Sequence, residues 1–213
     1  MKAIVAFLVI FALSVTIGFF INRKNNPLPV YRPSDVNPRL VDSDQQAMRS
    51  PHRIREFKLV NQFSDTVTSQ LTKDKVYIAN FFFTRCPTIC PIMTGNLVSV
   101  QQSLTSEPDF LILSHSVTPE YDTPQILKDY SERFGADKSN WFFLTGDKKE
   151  IYDLARRSYF AVLDHGDGGM QDFVHTENVV LIDRLKRIRG FYDGTSESEM
   201  ARMTDEIRDL LRE

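Results

Sequence analysis

Apolar and polar positions divide the chain into three stretches. The first is Ile4–Ile21 (IVAFLVIFALSVTIGFFI), eighteen residues without a charge, followed by Asn22-Arg23-Lys24. At 1.5 Å per residue a helix there would measure roughly 27 Å, close to the hydrocarbon thickness of a bilayer. A cleaved signal peptide is the competing reading, but its apolar region is normally shorter and ends in a small-x-small site. Here Ala12-Leu13-Ser14 lies inside the run and the residues after it are bulky. The expectation is therefore an uncleaved N-terminal transmembrane helix, with residues 1–24 as a membrane anchor. No cysteine stands there to carry a lipid. The charges on either side, Lys2 against Arg23 and Lys24, barely choose an orientation. Residues 25–50 are polar and interrupted by Pro27, Pro29, Pro33 and Pro38. Proline fixes φ and lacks an N–H, so this stretch predicts a tether that stays extended and resists packing.

From residue 51 to 213 strand and helix patterns alternate. Val76–Phe83 (VYIANFFF) is an almost unbroken apolar run, as in a strand covered on both faces. Ile92, Met93, Leu97, Val100 and Leu104 recur at helical spacing and predict a helix from Pro91 to about Leu104. Phe110–Leu113 reads as a strand. Asp122 or Thr123, with Pro124 in the first turn, opens a helix that Gly135 closes. Trp141–Leu144 is a short strand, and Asp147 with Glu150 resembles a capping box ahead of Ile151, Leu154 and Ala155. Asn178–Ile182 and Arg187–Tyr192 flank an Asp183-Arg184 turn as a hairpin. Ser196-x-x-Glu199 starts a last amphipathic helix with Met200, Met203, Ile207, Leu210 and Leu211 inward. Parallel βαβ units ending in an antiparallel hairpin predict one α/β domain, a thioredoxin-like mixed sheet flanked by helices on both faces.

Composition narrows the function. The 213 residues hold 26 Lys and Arg against 28 Asp and Glu, a net charge of -2. Such a balance gives no general attraction to nucleic acid or to an anionic membrane face. Hydrophobic residues make up 42% of the chain, which excludes wholesale disorder. Only two cysteines are present, so a disulfide-rich scaffold and a four-cysteine metal centre within one copy are both excluded.

Both cysteines lie in Phe83-Thr84-Arg85-Cys86-Pro87-Thr88-Ile89-Cys90-Pro91, where the most apolar strand gives way to a helix. At i and i+4 on a first helical turn, two sulfurs can point to one side, close enough to chelate one ion. The open N–H groups and positive dipole end of a helix favour the thiolate, which is both metal ligand and nucleophile. Two bland readings compete: small buried hydrophobes, and a structural disulfide. Against the first, both cysteines share one prolyl turn at the strand end where open α/β sheets bind ligands. Against the second, so short a loop constrains the unfolded chain little.

The segment Phe81-Phe82-Phe83-Thr84-Arg85-Cys86-Pro87-Thr88-Ile89-Cys90-Pro91 resembles the signature of the Sco/SenC family, membrane-tethered copper chaperones of thioredoxin-like fold that assist assembly of cytochrome c oxidase. Ser116–Pro124 (SVTPEYDTP) resembles that family's exit from its second strand, and Trp141–Gly146 (WFFLTG) its next strand. His175, ahead of Val179–Asp183, matches the place of the family's histidine ligand. Together these cover most of residues 75–193. The resemblance implies copper, Cu(I) or Cu(II), held by Cys86, Cys90 and His175. Two thiolates and an imidazole suit that metal, and three ligands leave a position open for transfer, whereas a structural zinc site wants a fourth. Two departures stand out. Thr88 replaces an acidic residue common two places after the first cysteine, and Val174 replaces an aspartate common before the histidine, leaving Asp172 as the nearest upstream carboxylate.

Other candidates are weaker. His52 at the tether boundary is expected to be solvated, and His115 to be a structural histidine. His165 lies in the loop Asp164–Gly169 and could approach the site. Met93 is expected in the core and Met170 in a mobile loop. Asp164, Asp167 and Asp172 match no EF-hand spacing.

The resemblance implies delivery of copper to, or maturation of the copper site in, a cytochrome c oxidase subunit or another copper-site protein. The domain would then lie outside the cytoplasm, with a bacterial periplasmic face favoured over a mitochondrion because no long Arg- and Ser-rich presequence is present. An enzymatic alternative is a thiol–disulfide oxidoreductase acting on a copper-site partner's cysteines, with Cys86 and Cys90 as the redox pair. Cys-x-x-x-Cys rather than Cys-x-x-Cys counts against a general oxidoreductase. Thr84 ahead of Cys86-Pro87 partly matches a peroxiredoxin motif, but it stands two residues from the cysteine rather than three.

Overall fold

Seven strands make one mixed sheet in the order β2-β1-β5-β4-β3-β6-β7. They are β1 (Lys58–Asn61), β2 (Thr66–Thr68), β3 (Val76–Phe82), β4 (Phe110–Ser116), β5 (Trp141–Thr145), β6 (Asn178–Ile182) and β7 (Ile188–Asp193). The computed structural model describes residues 27–41, 45–162, 174 and 176–213, and the isolated positions Phe7, Phe11, Leu13 and Ser14. Strands β3, β4 and β5 run parallel; β6 is antiparallel to β3, β7 to β6, and β1 to both β5 and β2. Helices α1 (Ile89–Ser103), α2 (Pro124–Phe134), α3 (Lys148–Asp153) and α4 (Glu197–Arg212) connect and flank them.

Period-two alternation sorts β3 between two apolar layers. Val76, Ile78 and Phe82 join α1, α2 and α4 residues such as Met93, Leu97, Leu127, Tyr130, Met203 and Ile207. Tyr77, Ala79 and Phe81 face the other way, onto Ile151, Tyr152 and Ala155 and the π-helical turn Leu154–Ser158 that continues α3. With helices on both faces, every residue of β3 and β4 is buried, which is why neither strand alternates apolar with polar.

The caps follow the expected chemistry, with adjustments. Thr123, rather than Asp122, caps α2, its hydroxyl accepting from the Ile126 amide at 3.4 Å. Gly135 ends α2 at φ 71°, a left-handed conformation in which a Cβ is strained. Asp147 accepts from the Glu150 amide at 2.8 Å, but the Glu150 carboxylate accepts from the Lys58 amide instead of closing a box. Ser196 caps α4 through Glu199.

Several expectations are corrected. The β1–β2 hairpin is an addition to the predicted elements: seven strand residues, four of them polar, carry little periodic signal. β4 runs three residues past Leu113, to Ser116, because its parallel ladder with β3 continues to Phe82↔Ser116. Helix α1 starts at Ile89, so Cys90 lies within its first turn rather than ahead of it. Residues 27–41, expected to stay off the domain, pack on it. The Tyr31 amide donates to the Ile188 carbonyl at 2.9 Å, and Val36 and Val41 are buried in the core. The apolar run Ile4–Ile21 lies outside the described residues except at Phe7, Phe11, Leu13 and Ser14, which are helical. No helix among the described residues is long and apolar enough to cross a membrane.

Candidate metal centre

The two cysteines meet where β3 ends. The chain leaves Phe82, turns through Phe83–Cys86, where the Cys86 amide donates to the Phe83 carbonyl at 3.2 Å, and enters α1. The first amides of a helix have no partner within it. One of them, the Cys90 N–H, donates to Cys86 Sγ at 3.4 Å, and Thr88 Oγ1 lies 3.9 Å from the same sulfur. Both residues are free thiols and buried. Cys90 packs into the layer with Phe82, Met93 and Tyr130. Its carbonyl accepts from Thr94 Oγ1 at 2.8 Å, and that hydroxyl lies 2.9 Å from Tyr130 Oη.

These surroundings treat the thiols differently. Burial works against a Cys86 thiolate, but hydrogen bonds from the Cys90 and Thr88 amides and from their side chains outweigh it and hold the thiol below its ordinary value. Burial, with the charges of Cys86 and Asp122 adding to it, pushes the Cys90 thiol up to about 12. Cys86 is the more readily ionised of the pair, and a second thiolate at Cys90 needs a compensating cation. A soft metal ion supplies that compensation and displaces the proton as it binds.

Asp122, read from the sequence only as a helix opener, is fully buried beside this turn. Its carboxylate accepts from the Thr84 amide at 3.2 Å and the Thr84 hydroxyl at 2.5 Å, both from the loop leaving β3. It also accepts from Ser116 Oγ at 2.5 Å and Thr118 Oγ1 at 3.0 Å at the exit of β4. On the outside of the same two loops the Arg85 guanidinium stacks 3.8 Å above the Tyr121 ring. The only sequence signal for Asp122 was a run of Ser, Thr and Asp after a strand, which equally describes an ordinary turn.

His175 lies outside the described residues, as do His165, Met170, Asp164, Asp167 and Asp172. The segment's neighbours are tied down. The Val174 amide donates to Tyr152 Oη at 3.4 Å, Thr176 Oγ1 donates to the Ala161 carbonyl at 2.7 Å, and the Glu177 carbonyl accepts from the Gly194 amide at 2.8 Å. Val174 is buried in the apolar layer containing Ala161 and Val180, where an aspartate would be desolvated. Among the described residues no three His, Cys, Asp or Glu side chains are grouped to hold a metal. Met93 is core, as expected. His52, expected in solvent, is instead half-buried. Its Nε2 lies 2.7 Å from the Ser158 carbonyl and its ring 4.4 Å from that of Phe160, because the segment after the tether lies against the end of the π-helical turn that follows α3. His115 is fully buried in β4 and stacks on Phe81.

Comparison with known families decides the assignment. The SCO1/SenC family model matches residues 45–212. The chain belongs to the SCO1/SenC family. The SCO1 protein homolog of Bacillus subtilis is 33% identical over 153 residues, 70% of this chain and 79% of that protein. A SCO1/SenC family lipoprotein from Bacillus anthracis superposes with a TM-score of 0.66 at 30% identity, covering 77% of this chain and 99% of the other. BsSco, described with a disulfide switch and as a member of the Sco family of cytochrome c oxidase assembly proteins, gives 0.65 at 29%, covering 76% and 94%. Bradyrhizobium japonicum ScoI, solved with copper bound, gives 0.58 at 27%, covering 74% and 99%. The thioredoxin-like expectation agrees with these Sco folds, and membership rests on 168 consecutive positions of this chain rather than on the cysteine turn alone.

Proposed function

We propose that this Sco-family protein binds copper through Cys86, Cys90 and His175 and delivers it to, or matures the copper site of, cytochrome c oxidase. The observation that carries the reading is the pair of free thiols in one hydrogen-bonded turn at the end of β3, in a family with copper-bound members. The sheet register supports a contribution from His175. β6 is antiparallel to β3 with Val179 opposite Asn80, so the segment entering β6 approaches the sheet end from which the Cys86 loop leaves. Copper, when bound, supplies the positive charge that stabilises two neighbouring thiolates. The protein's residues do the rest: Cys90 N–H orients Cys86 Sγ, and the apolar wall of Phe82, Met93 and Tyr130 excludes water from Cys90. An N-terminal anchor, with the domain outside the cytoplasm, would hold the site near a partner fixed in the same membrane and raise its effective concentration.

The test is titration of the full chain, reduced and anaerobic in detergent, with copper. One equivalent is expected to bind, with sulfur-to-metal charge-transfer absorption in the Cu(II) form; His175→Ala is expected to weaken Cu(II) binding by at least tenfold and leave the thiols' redox behaviour intact. Unchanged Cu(II) affinity in that variant would overturn the ligand assignment. One observation favours a second reading, a narrow thiol–disulfide oxidoreductase. The unequal thiols suit Cys86 for attack on a partner disulfide and Cys90 for resolving the mixed disulfide. Efficient reduction of a copper-site protein's disulfide by the metal-free protein would select it.

A further inference from the structure

Strand directions give the sheet two ends. β3 and β4 finish at the end that carries the cysteine turn, where β6 starts and β7 finishes. The opposite end holds the β6–β7 turn at Asp183–Arg187, the start of β7 and the last turn of α4, whose Leu210 carbonyl accepts from Arg184. The segment ahead of β1 is fastened there twice. Arg189, buried at the start of β7, donates from Nη2 to the Leu28 carbonyl at 2.8 Å and from Nε to the Pro29 carbonyl at 3.0 Å. The Tyr31 amide donates to the Ile188 carbonyl, and the Tyr31 ring meets that of Phe191 edge-on at 5.3 Å. Further along, Arg53 Nη1 donates to the Leu185 carbonyl at 2.7 Å and the Ile54 amide to the Lys186 carbonyl at 2.8 Å. The chain thus joins its domain at the end remote from Cys86 and Cys90.

We propose that this docked segment is a strap that turns the metal centre away from the bilayer, so that it fits a receiving copper site carried in a projecting domain of the partner and not one at the membrane surface. The proposal deepens the copper-delivery reading and rests on its N-terminal anchor. Between Ile21, the end of the apolar run, and Leu28 lie seven chain steps, at most about 25 Å fully extended. Roughly 6 Å of that reach lies within the headgroup layer, which leaves Leu28 no more than about 20 Å above it. Two elements measure the distance onward to the sulfurs. The seven residues of β3 span about 20 Å and the sixteen of α4 about 22 Å. The metal centre then stands about 20 to 40 Å above the headgroups. Inverting the domain would lift Leu28 by the length of β3 and by the loops above it, beyond what the tether spans. Without the docking, free chain would run from Ile21 to Arg53, with a reach of roughly 100 Å that permits any orientation.

The experiment places the full chain, with Cys86→Ser and Cys90→Ser, in lipid nanodiscs whose headgroups carry an acceptor dye. A donor dye is attached through Thr88→Cys beside the site or through Leu185→Cys in the β6–β7 turn, both exposed positions. Energy transfer is expected to place the Thr88→Cys label about 20 Å further from the lipid than the Leu185→Cys label, the length of β3. Equal distances, or a nearer Thr88→Cys label, overturn the proposal. Ile92→Cys, exposed on the first turns of α1, serves in its place if Thr88→Cys does not fold. A flexible Gly-Ser insert of about 20 residues after Lys24 lengthens the tether without touching the strap. It is expected to reduce the difference between the two labels at least twofold; an unchanged difference means that the short tether does not set the orientation, and overturns the proposal as well. A chain that does not co-elute with the discs ends the anchor reading and this proposal with it, whereas a co-eluting chain with equidistant labels overturns this proposal alone. No copper enters the measurement, so a protein that failed to bind copper would end the chaperone reading and leave the orientation standing.

Discussion

Lowering the pH tests the packing of β4 through His115. The ring is fully buried, stacked on Phe81 with centroids 4.9 Å apart and within 5.5 Å of the Tyr159 ring. Nδ1 lies 3.4 Å from the Asn80 carbonyl, and Nε2 has no hydrogen-bond partner among the described residues. Protonation would place a charge and an unpaired N–H in a dry layer, so burial lowers the histidine's pKa from 6.5 to about 4. The folded state keeps the ring neutral while the unfolded chain takes up a proton below 6.5. This contribution is therefore complete above that pH and erodes as pH falls toward 4. Between those two pKa values the loss reaches about 2 kcal/mol at pH 5. Urea unfolding at pH 7 and pH 5 measures it. His115→Phe fills the same space with an apolar ring and removes the titrating nitrogen, at a cost of less than about 1.5 kcal/mol at pH 7. The variant is expected to lose about 2 kcal/mol less than the wild type on acidification. His52, whose pKa burial also lowers, contributes to both proteins alike. Equal losses in the two proteins would refute the argument that the buried His115 ring resists protonation in the folded state.

Two further perturbations probe other parts of the fold. Arg189 directs all its N–H groups inward: Nε to the Pro29 carbonyl, Nη2 to the Leu28 carbonyl and Glu213, and Nη1 to Asp183 and Glu213. Asp183 keeps Arg187 as a second partner, so Arg189→Met leaves no wholly orphaned charge and is expected to cost about 3 kcal/mol in denaturant unfolding. Amide exchange near Tyr31 should rise with it, and unchanged exchange there would show that the arginine does not hold the N-terminal segment. Gly194→Ala would bring a Cβ to 2.9 Å from Val179 Cγ2, 3.0 Å from the Glu177 carbonyl and 3.1 Å from Met93 Cε. A thermal-melt loss equivalent to about 1–3 kcal/mol is expected from that overlap, and a neutral result would mean the β6 entry gives way.

Local chemistry made part of this protein legible from the sequence alone. β3 is visible because a strand covered on both faces shows as an unbroken apolar run; α2 and α4 are visible because caps and a 3.6-residue period sit within one helix length. Cys86 and Cys90 are visible because both ligand atoms come from one turn. The β1–β2 hairpin was hidden because its pairing with β5, Val60 opposite Thr145, joins residues far apart in sequence and its side chains alternate too briefly to declare a face. Burial of His115 depended on the length of a parallel ladder, which its own strand does not encode. The clamp of Thr84 by Asp122 and the reach of Arg189 from Leu28 to Glu213 required three-dimensional neighbours from separate segments. Periodicity reports which face of an element is apolar; which polar groups meet once those faces are buried is decided only when desolvation makes each of them find a partner.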